Sequence, residues 1–184
     1  TEALTPTAQD GRLLLMLSNT DRDEPRFLIN NSLDTQLIFG RNVEAWKPAE
    51  VAMVDSDTLG FPITSVAQIP PGRYFVQALL NRYHTFHLSN GKVVSLPPDR
   101  GEGQRWNRKP GNFLSTPFAV DIGEANQVIE VVLDQVIPEI DPPRDSEFIK
   151  HVRMRSKLLS DFWGEDIYLG ANVLLPKGFA EHPQ

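Results

Sequence analysis

Residues 70–98 read P-P-G-R-Y-F-V-Q-A-L-L-N-R-Y-H-T-F-H-L-S-N-G-K-V-V-S-L-P-P, and the fold class follows from how they are parsed. Pro71-Gly72 is a turn signal. Arg73 to Tyr83 carries aliphatic and aromatic residues on both alternating faces, the pattern of a central strand covered on two sides. Asn90-Gly91 lies between Phe86-His-Leu and Lys92-Val-Val. Asn-Gly is the favoured pair for a two-residue type I′ hairpin, because both positions take φ > 0. That turn predicts Leu88 opposite Val93 and Phe86 opposite Ser95. The stretch therefore reads as the core hairpin of a β-sandwich.

The flanking chain extends this pattern. Arg12–Leu17, Arg26–Ile29 and Gln36–Phe39 are short apolar runs separated by turn-forming residues. Residues 40–50 read as a loop. Val51–Val54 is a further short apolar run, and Ile63–Ile69 reads as a strand or one helical turn. Phe118–Ile122 and Gln127–Leu133 suggest a hairpin across Gly-Glu-Ala-Asn, with Ile129, Val131 and Leu133 on one face. Fifteen prolines break nearly every candidate long helix. About seven strands at roughly 8–12-residue spacing predict a mainly β chain with an immunoglobulin-like sandwich.

Four segments follow. Residues 1–10 are a polar, flexible lead-in. Residues 11–134 are the sandwich. Residues 135–145, with Pro138, Pro142 and Pro143, are a semi-rigid linker. Residues 146–184 hold a segment of mixed periodicity, Ser146–Leu159, read as part of a long hairpin with Ile167–Leu175. Asp161–Glu165 is its turn.

Composition narrows the chemistry. The 184 residues suffice for a core without disulfide or metal. Cysteine is absent, so thiol catalysis is excluded. A net charge of −6 argues against nucleic acid as a partner. No run approaches the eighteen apolar residues of a membrane span. No G-x-S-x-G surrounds any of the ten serines. His84 and His87 point to opposite faces of a strand and cannot chelate as a pair. Asp55 and Asp57 lack the rest of a calcium loop. No catalytic residue, metal site or cofactor is assigned.

The segment Pro97–Pro117 is long for a loop in a compact domain, and ordered loops of that length are often functional. Within it Arg100, Glu102, Arg105, Trp106 and Arg108 are the candidate ligand or domain-interface residues. Trp106 suits stacking on a ring while the arginines suit carboxylates. The same residue types also pin loops in place, and docking is the favoured role for them here.

Three phrases bear a family likeness: Pro71-Gly-Arg-Tyr-Phe-Val-Gln-Ala-Leu-Leu-Asn81, Gly101-Glu-Gly-Gln-Arg-Trp-Asn-Arg108, and Ser156-Lys-Leu-Leu-Ser-Asp-Phe-Trp-Gly164 followed by Tyr168-Leu-Gly-Ala-Asn-Val-Leu-Leu-Pro176. Together with Val173-Leu-Leu-Pro-Lys-Gly-Phe179 they resemble the N-terminal part of bacterial exported esterases related to the enterochelin-esterase-like α/β hydrolases. The resemblance implies a β-sandwich followed by the opening antiparallel strands of a hydrolase domain. It also implies a secreted or periplasmic location, and a catalytic serine, acid and histidine downstream of Gln184. On that expectation the chain is a non-catalytic portion that supports or partly roofs a catalytic domain acting on carboxylic esters. A strand pair without its sheet exposes apolar edges. Residues 147–179 are thus expected to need a partner: the catalytic domain in the same or a separate chain, or a second copy of this one. The alternative is a stand-alone carbohydrate- or protein-binding sandwich module.

Overall fold

The computed structural model describes residues 4–123 and 127–179. Its strands are β1 (Gln9–Ser18), β2 (Leu37–Trp46), β3 (Gly60–Phe61), β4 (Gly72–Arg82), β5 (His84–His87), β6 (Val93–Leu96), β7 (Phe113–Leu114), β8 (Phe118–Ile122), β9 (Gln135–Val136), β10 (Ile149–Arg155) and β11 (Tyr168–Leu174), with helix α1 (Lys157–Trp163) before the last. The protein is mainly β. Seven strands form one antiparallel sheet in the order β3-β2-β1-β4-β7-β9, with β8 also paired to β4. Two further sheets have two strands each, β5-β6 and β10-β11.

The chain divides into two compact units. The first comprises residues 1–84 and 97–140, the second residues 85–96 and 141–184.

In the first unit β1 and β4 run side by side at the sheet centre, Leu13 opposite Leu80 and Leu17 opposite Val76. Both are apolar at consecutive positions because both faces of the sheet are covered. One face carries Leu13, Leu17, Phe39, Tyr74, Val76, Ala78 and Leu80. Segments 51–54 and 127–133 lie over it without joining a strand ladder. They turn Ala52, Val54, Val131 and Leu133 inward. A cavity of about 1270 Å³ opens between these segments and the sheet. The opposite face carries Leu14, Met16, Leu79, Leu114 and Ile137, packed against Ile29, Ile38 and Trp106.

Several sequence expectations are corrected here. Arg26–Ile29 is not a strand: a 3₁₀ turn spans Pro25–Phe27, its first position taken by proline, whose missing N–H is harmless there. β2 runs through Gly40 to Trp46, so most of the expected 40–50 loop is strand. Glycine suits position 40 because a Cβ there would crowd the Leu14 and Arg12 side chains on the neighbouring strand, at 2.9 and 3.0 Å. Of the two alternatives for Ile63–Ile69 the helical turn is found, a 3₁₀ turn over Val66–Gln68 capped by Ser65 Oγ accepting from the Ala67 amide. Phe118–Ile122 pairs with β4, Tyr74 opposite Val120, rather than with 127–133. The hairpin tip expected between those segments falls partly on residues 124–126, outside the described residues. β1 begins at Gln9, within the expected lead-in. β9 and the buried Ile137 occupy the start of the expected linker.

The hairpin at Asn90-Gly91 is real but one residue wider than expected. The Leu88 amide donates to Lys92 O at 2.8 Å, and the Gly91 amide returns to Leu88 O at 2.9 Å. Only Gly91 of the Asn-Gly pair takes a positive φ, +80°. This is the three-residue loop of a turn followed by a left-handed glycine. Leu88 therefore pairs with Lys92, not Val93.

That hairpin also belongs to the second unit. Phe86 meets Trp163 edge to face at 5.2 Å between ring centroids, and the Ser89 amide donates to Phe162 O at 2.9 Å. A Cβ on Gly164 would lie 2.6 Å from His87 O, so glycine permits the close approach and also supplies the left-handed end of α1. Residues 157–163, expected in part as a turn, form a helix because Ser156 caps it through the Leu159 amide. β10 and β11 form the expected antiparallel pair, from Ile149 opposite Leu174 to Arg155 opposite Tyr168.

Candidate functional site

The long loop 97–112 lies against the first unit's sheet at the end of β4. Asn112, fully buried, is its anchor. Its Oδ1 accepts from the Arg82 amide at 3.0 Å, and its Nδ2 donates to Trp106 O at 2.9 Å and to Asn81 Oδ1 at 3.2 Å. One side chain thus ties the strand end to both arms of the loop. The Gly111 amide donates to Ile137 O and the Ile137 amide to Asn112 O.

A second clasp joins the loop to the Pro25–Phe27 turn. Arg26 Nη1 donates to Asn107 O at 2.8 Å, and Asn107 Nδ2 donates back to Arg26 O at 3.1 Å. The Arg26 and Arg108 guanidiniums lie 4.3 and 4.7 Å from the Phe27 ring centroid. Arg26 is held in turn by Glu24 and Gln77. Its Nε donates to Glu24 Oε2 at 2.8 Å, and its backbone amide to Gln77 Oε1 at 3.2 Å. Burial raises the Glu24 pKa, but the hydrogen bonds from Arg26 and Gln77 and the Arg26 charge outweigh it. The carboxyl therefore sits below its ordinary value of 4.5.

The five residues singled out in the sequence do not converge. Trp106 is half-buried, packed on the cluster of Leu14, Met16, Leu79, Leu114 and Ile137. Its ring is part of the core rather than a free stacking platform. Arg108 lies on Phe27. Arg105 is exposed at the turn its carbonyl closes with the Arg108 amide. Glu102 is buried, and its Oε2 accepts from the Arg100 amide at 2.7 Å. Its Oε1 is buried without a hydrogen-bond partner among the described residues. Only Arg100, exposed and 3.5 Å from His84 Nε2, reaches a cleft.

That cleft, of about 110 Å³, is lined by Arg82, His84, Arg100, Lys109, Gly111 and Glu139 among others. Lys109 is nearly inaccessible. Its Nζ donates to Arg82 O and, at 3.4 Å, to Asn81 Oδ1. Burial lowers its pKa to about 8; nearby Glu102 opposes this, while Arg100 and Arg82 reinforce it. Arg82 is spread over the same region, its Nε donating to Gln9 Oε1 at 2.6 Å and its Nη1 to Gly111 O at 3.0 Å. Its guanidinium lies 4.6 Å from the Phe113 ring. Burial, then the Arg100 charge, lowers its pKa from the ordinary value.

Arg82, Asn112 and Gln9 escape sequence inspection. Lys109 is visible in the loop, but nothing local marks it as buried. The one available signal is the polar pair Asn81-Arg82 directly after the apolar run Ala78-Leu79-Leu80. No group of three or more metal-ligating side chains gathers among the described residues. Family models, curated proteins and solved structures provide no match to this chain.

The second unit presents a different feature. Leu175 N donates to Phe148 O and Ser156 N to Ile167 O, which fixes the hydrogen-bonding phase of β10-β11. By the antiparallel alternation, the amides of Tyr168, Gly170, Asn172 and Leu174 then point away from β10. On β10 the corresponding edge is partly closed by Asp145 Oδ1, which accepts from the His151 amide at 2.9 Å. One face of the ribbon carries the exposed Val152, Met154, Leu169, Ala171 and Val173, with Lys150 beside Val173 at its end. The other face carries Arg153 over Tyr168, Arg155 bound to Asp166, and His151 hydrogen-bonded to Asn172.

Proposed function

We propose that this chain is a non-catalytic, β-rich portion of a secreted or periplasmic serine esterase. The unit of residues 1–84 and 97–140 acts as an immunoglobulin-like sandwich, with segments 51–54 and 127–133 as its second layer. It supports or partly roofs a catalytic domain that hydrolyses carboxylic esters. Strands β10 and β11 are the first two strands of that domain's sheet, and the partner is the α/β-hydrolase domain, in the same chain or a separate one. The acyl-enzyme chemistry, with its nucleophile and oxyanion hole, belongs to that domain.

The observation that carries this is the β10-β11 ribbon. A two-stranded antiparallel pair is marginal by itself in water. Among the described residues this one leaves five apolar side chains of one face exposed and no strand paired to the outer edge of β11. An opening strand pair has this form: the sheet continues at the free edge, and a helical layer covers the apolar face. The resemblance of Val173-Leu-Leu-Pro-Lys-Gly-Phe179 to a hydrolase opening phrase supports the same assignment.

The test is p-nitrophenyl acetate turnover. The chain alone is expected to leave the buffer rate unchanged, and a supplied catalytic portion bearing G-x-S-x-G to gain activity or stability in its presence. Saturable turnover by the chain alone, or no effect on the catalytic portion, refutes the proposal.

A further inference from the structure

The cleft at the end of β4 brings together three cations. Arg82 comes from the strand, Arg100 and Lys109 from the two arms of the long loop. Among the described residues none of these three makes an ion pair; their hydrogen bonds go to backbone carbonyls, to the Gln9 and Asn81 amides, and from Arg100 to the His84 ring. Two carboxylates are near. Glu139 is on the cleft wall, and Glu102 is close enough to favour the charged form of Lys109. They offset part of the charge: Glu102 keeps its negative charge while one oxygen accepts from the Arg100 amide, and the three cations still outnumber the two carboxylates. Arg82, Arg100 and Lys109 therefore repel one another across a cleft of about 110 Å³. Holding like charges together at partial burial is costly unless an opposite charge joins them.

We propose that this cleft binds one small oxyanion group, a phosphate or a carboxylate, between Arg82, Arg100 and Lys109, with His84 at its rim. The site is built rather than incidental. Lys109 is held by Arg82 O and Asn81, and Arg82 by Gln9 and Gly111, so both are positioned before the anion arrives. Pre-positioned donors of this kind bind oxyanions through charge-assisted hydrogen bonds. Arg100 is the exposed member and supplies the outer contact.

The test is calorimetric titration of the whole chain at pH 7 with inorganic phosphate and, separately, with acetate, ionic strength being held with sodium chloride. Saturable one-to-one binding of either anion is expected. Phosphate alone identifies a phosphate site, acetate alone a carboxylate site, and both a general oxyanion site. Arg100→Gln removes an exposed side chain and is expected to weaken binding about tenfold, one charge-assisted contact's worth. Arg73→Gln, on the exposed opposite end of β4, is expected to leave it unchanged. Circular dichroism of both variants checks that the fold is intact. Absence of saturation with both anions, or equal effects of the two substitutions, overturns the proposal.

Discussion

Asn112 Oδ1 accepts the backbone amide of Arg82 at 3.0 Å, in a position with no solvent access. The same side chain donates to Trp106 O and Asn81 Oδ1, so its loss strands a buried donor and weakens the satisfaction of two acceptors at once. Leaving buried polar groups unpaired costs more than the net worth of the bonds removed. Asn112→Ala is expected to destabilise the protein by about 3 kcal/mol. Urea denaturation monitored by tryptophan fluorescence measures it. Asn112→Asp, which keeps the acceptor for Arg82 but loses the donor, tests whether the Trp106 arm carries its share.

The two faces of the large sheet are packed differently, and core truncations report it. Leu79 is fully buried in the cluster with Leu14, Met16, Leu114 and Ile137. Leu15 borders the cavity of about 1270 Å³ on the opposite face. Truncation costs the lost transfer energy plus a term for the void created. Leu79→Ala is expected to cost about 3–4 kcal/mol, and Leu15→Ala about 1–2 kcal/mol. Equal costs would mean that segments 51–54 and 127–133 close tightly over the sheet.

Lys109 gives the stability a basic limb. Its folded pKa is about 8, below the ordinary 10.5. Between those values the unfolded chain holds more protons than the folded one, so stability rises with pH. Wild type is expected to gain stability relative to Lys109→Met from pH 8 to pH 10, with the difference flat below pH 7. Paired denaturation curves across that range check the sign. A difference that falls with pH contradicts the assignment.

Glu24 acts in the acid range. Its folded pKa lies below 4.5 because Arg26 and Gln77 hold the carboxylate, against the opposing effect of burial. Its contribution is present above the unfolded pKa and lost as pH falls through the folded one. Wild type is expected to lose stability relative to Glu24→Gln as pH drops below about 4.5, and to keep a constant difference from pH 6 to pH 7.

The central strands were legible because their composition is dictated by burial on both faces. Arg12–Leu17 and Arg73–Tyr83 are apolar at consecutive positions, and they are β1 and β4 within a few residues. Val131 and Leu133 pack into the core and Ile129 is half-buried, in step with their alternation, although their segment makes no ladder. Other features depend on distant partners. Gly40 opens the stretch that reads as a loop, and only the Leu14 and Arg12 side chains across the sheet, which crowd its Cβ position, suit it to a strand interior. The Asn-Gly pair marks the hairpin, but its width is set by Gly91 alone entering the left-handed region. Its allegiance to residues 141–184 rests on Phe86 meeting Trp163, a contact some eighty residues distant in sequence. In the loop, Trp106 and Arg108 are conspicuous in the sequence; in the structure Trp106 packs on a core cluster and Arg108 lies over the Phe27 ring. The cleft is built instead around Arg82 and Lys109, which burial makes special and sequence leaves ordinary.

The ribbon's open edge is the centre of the functional proposal, and amide hydrogen exchange reads it directly. In the chain alone, the Tyr168, Gly170, Asn172 and Leu174 amides are expected to exchange quickly, while those of Leu169, Ala171 and Val173, turned toward β10, are slower. Adding the catalytic α/β-hydrolase portion is expected to protect the four outward amides by at least about tenfold, as a neighbouring strand takes up their hydrogen bonds. Unchanged exchange at all four, in a mixture where the two portions are shown to be folded, would contradict the assignment of β10 and β11 as the opening strands of a larger sheet.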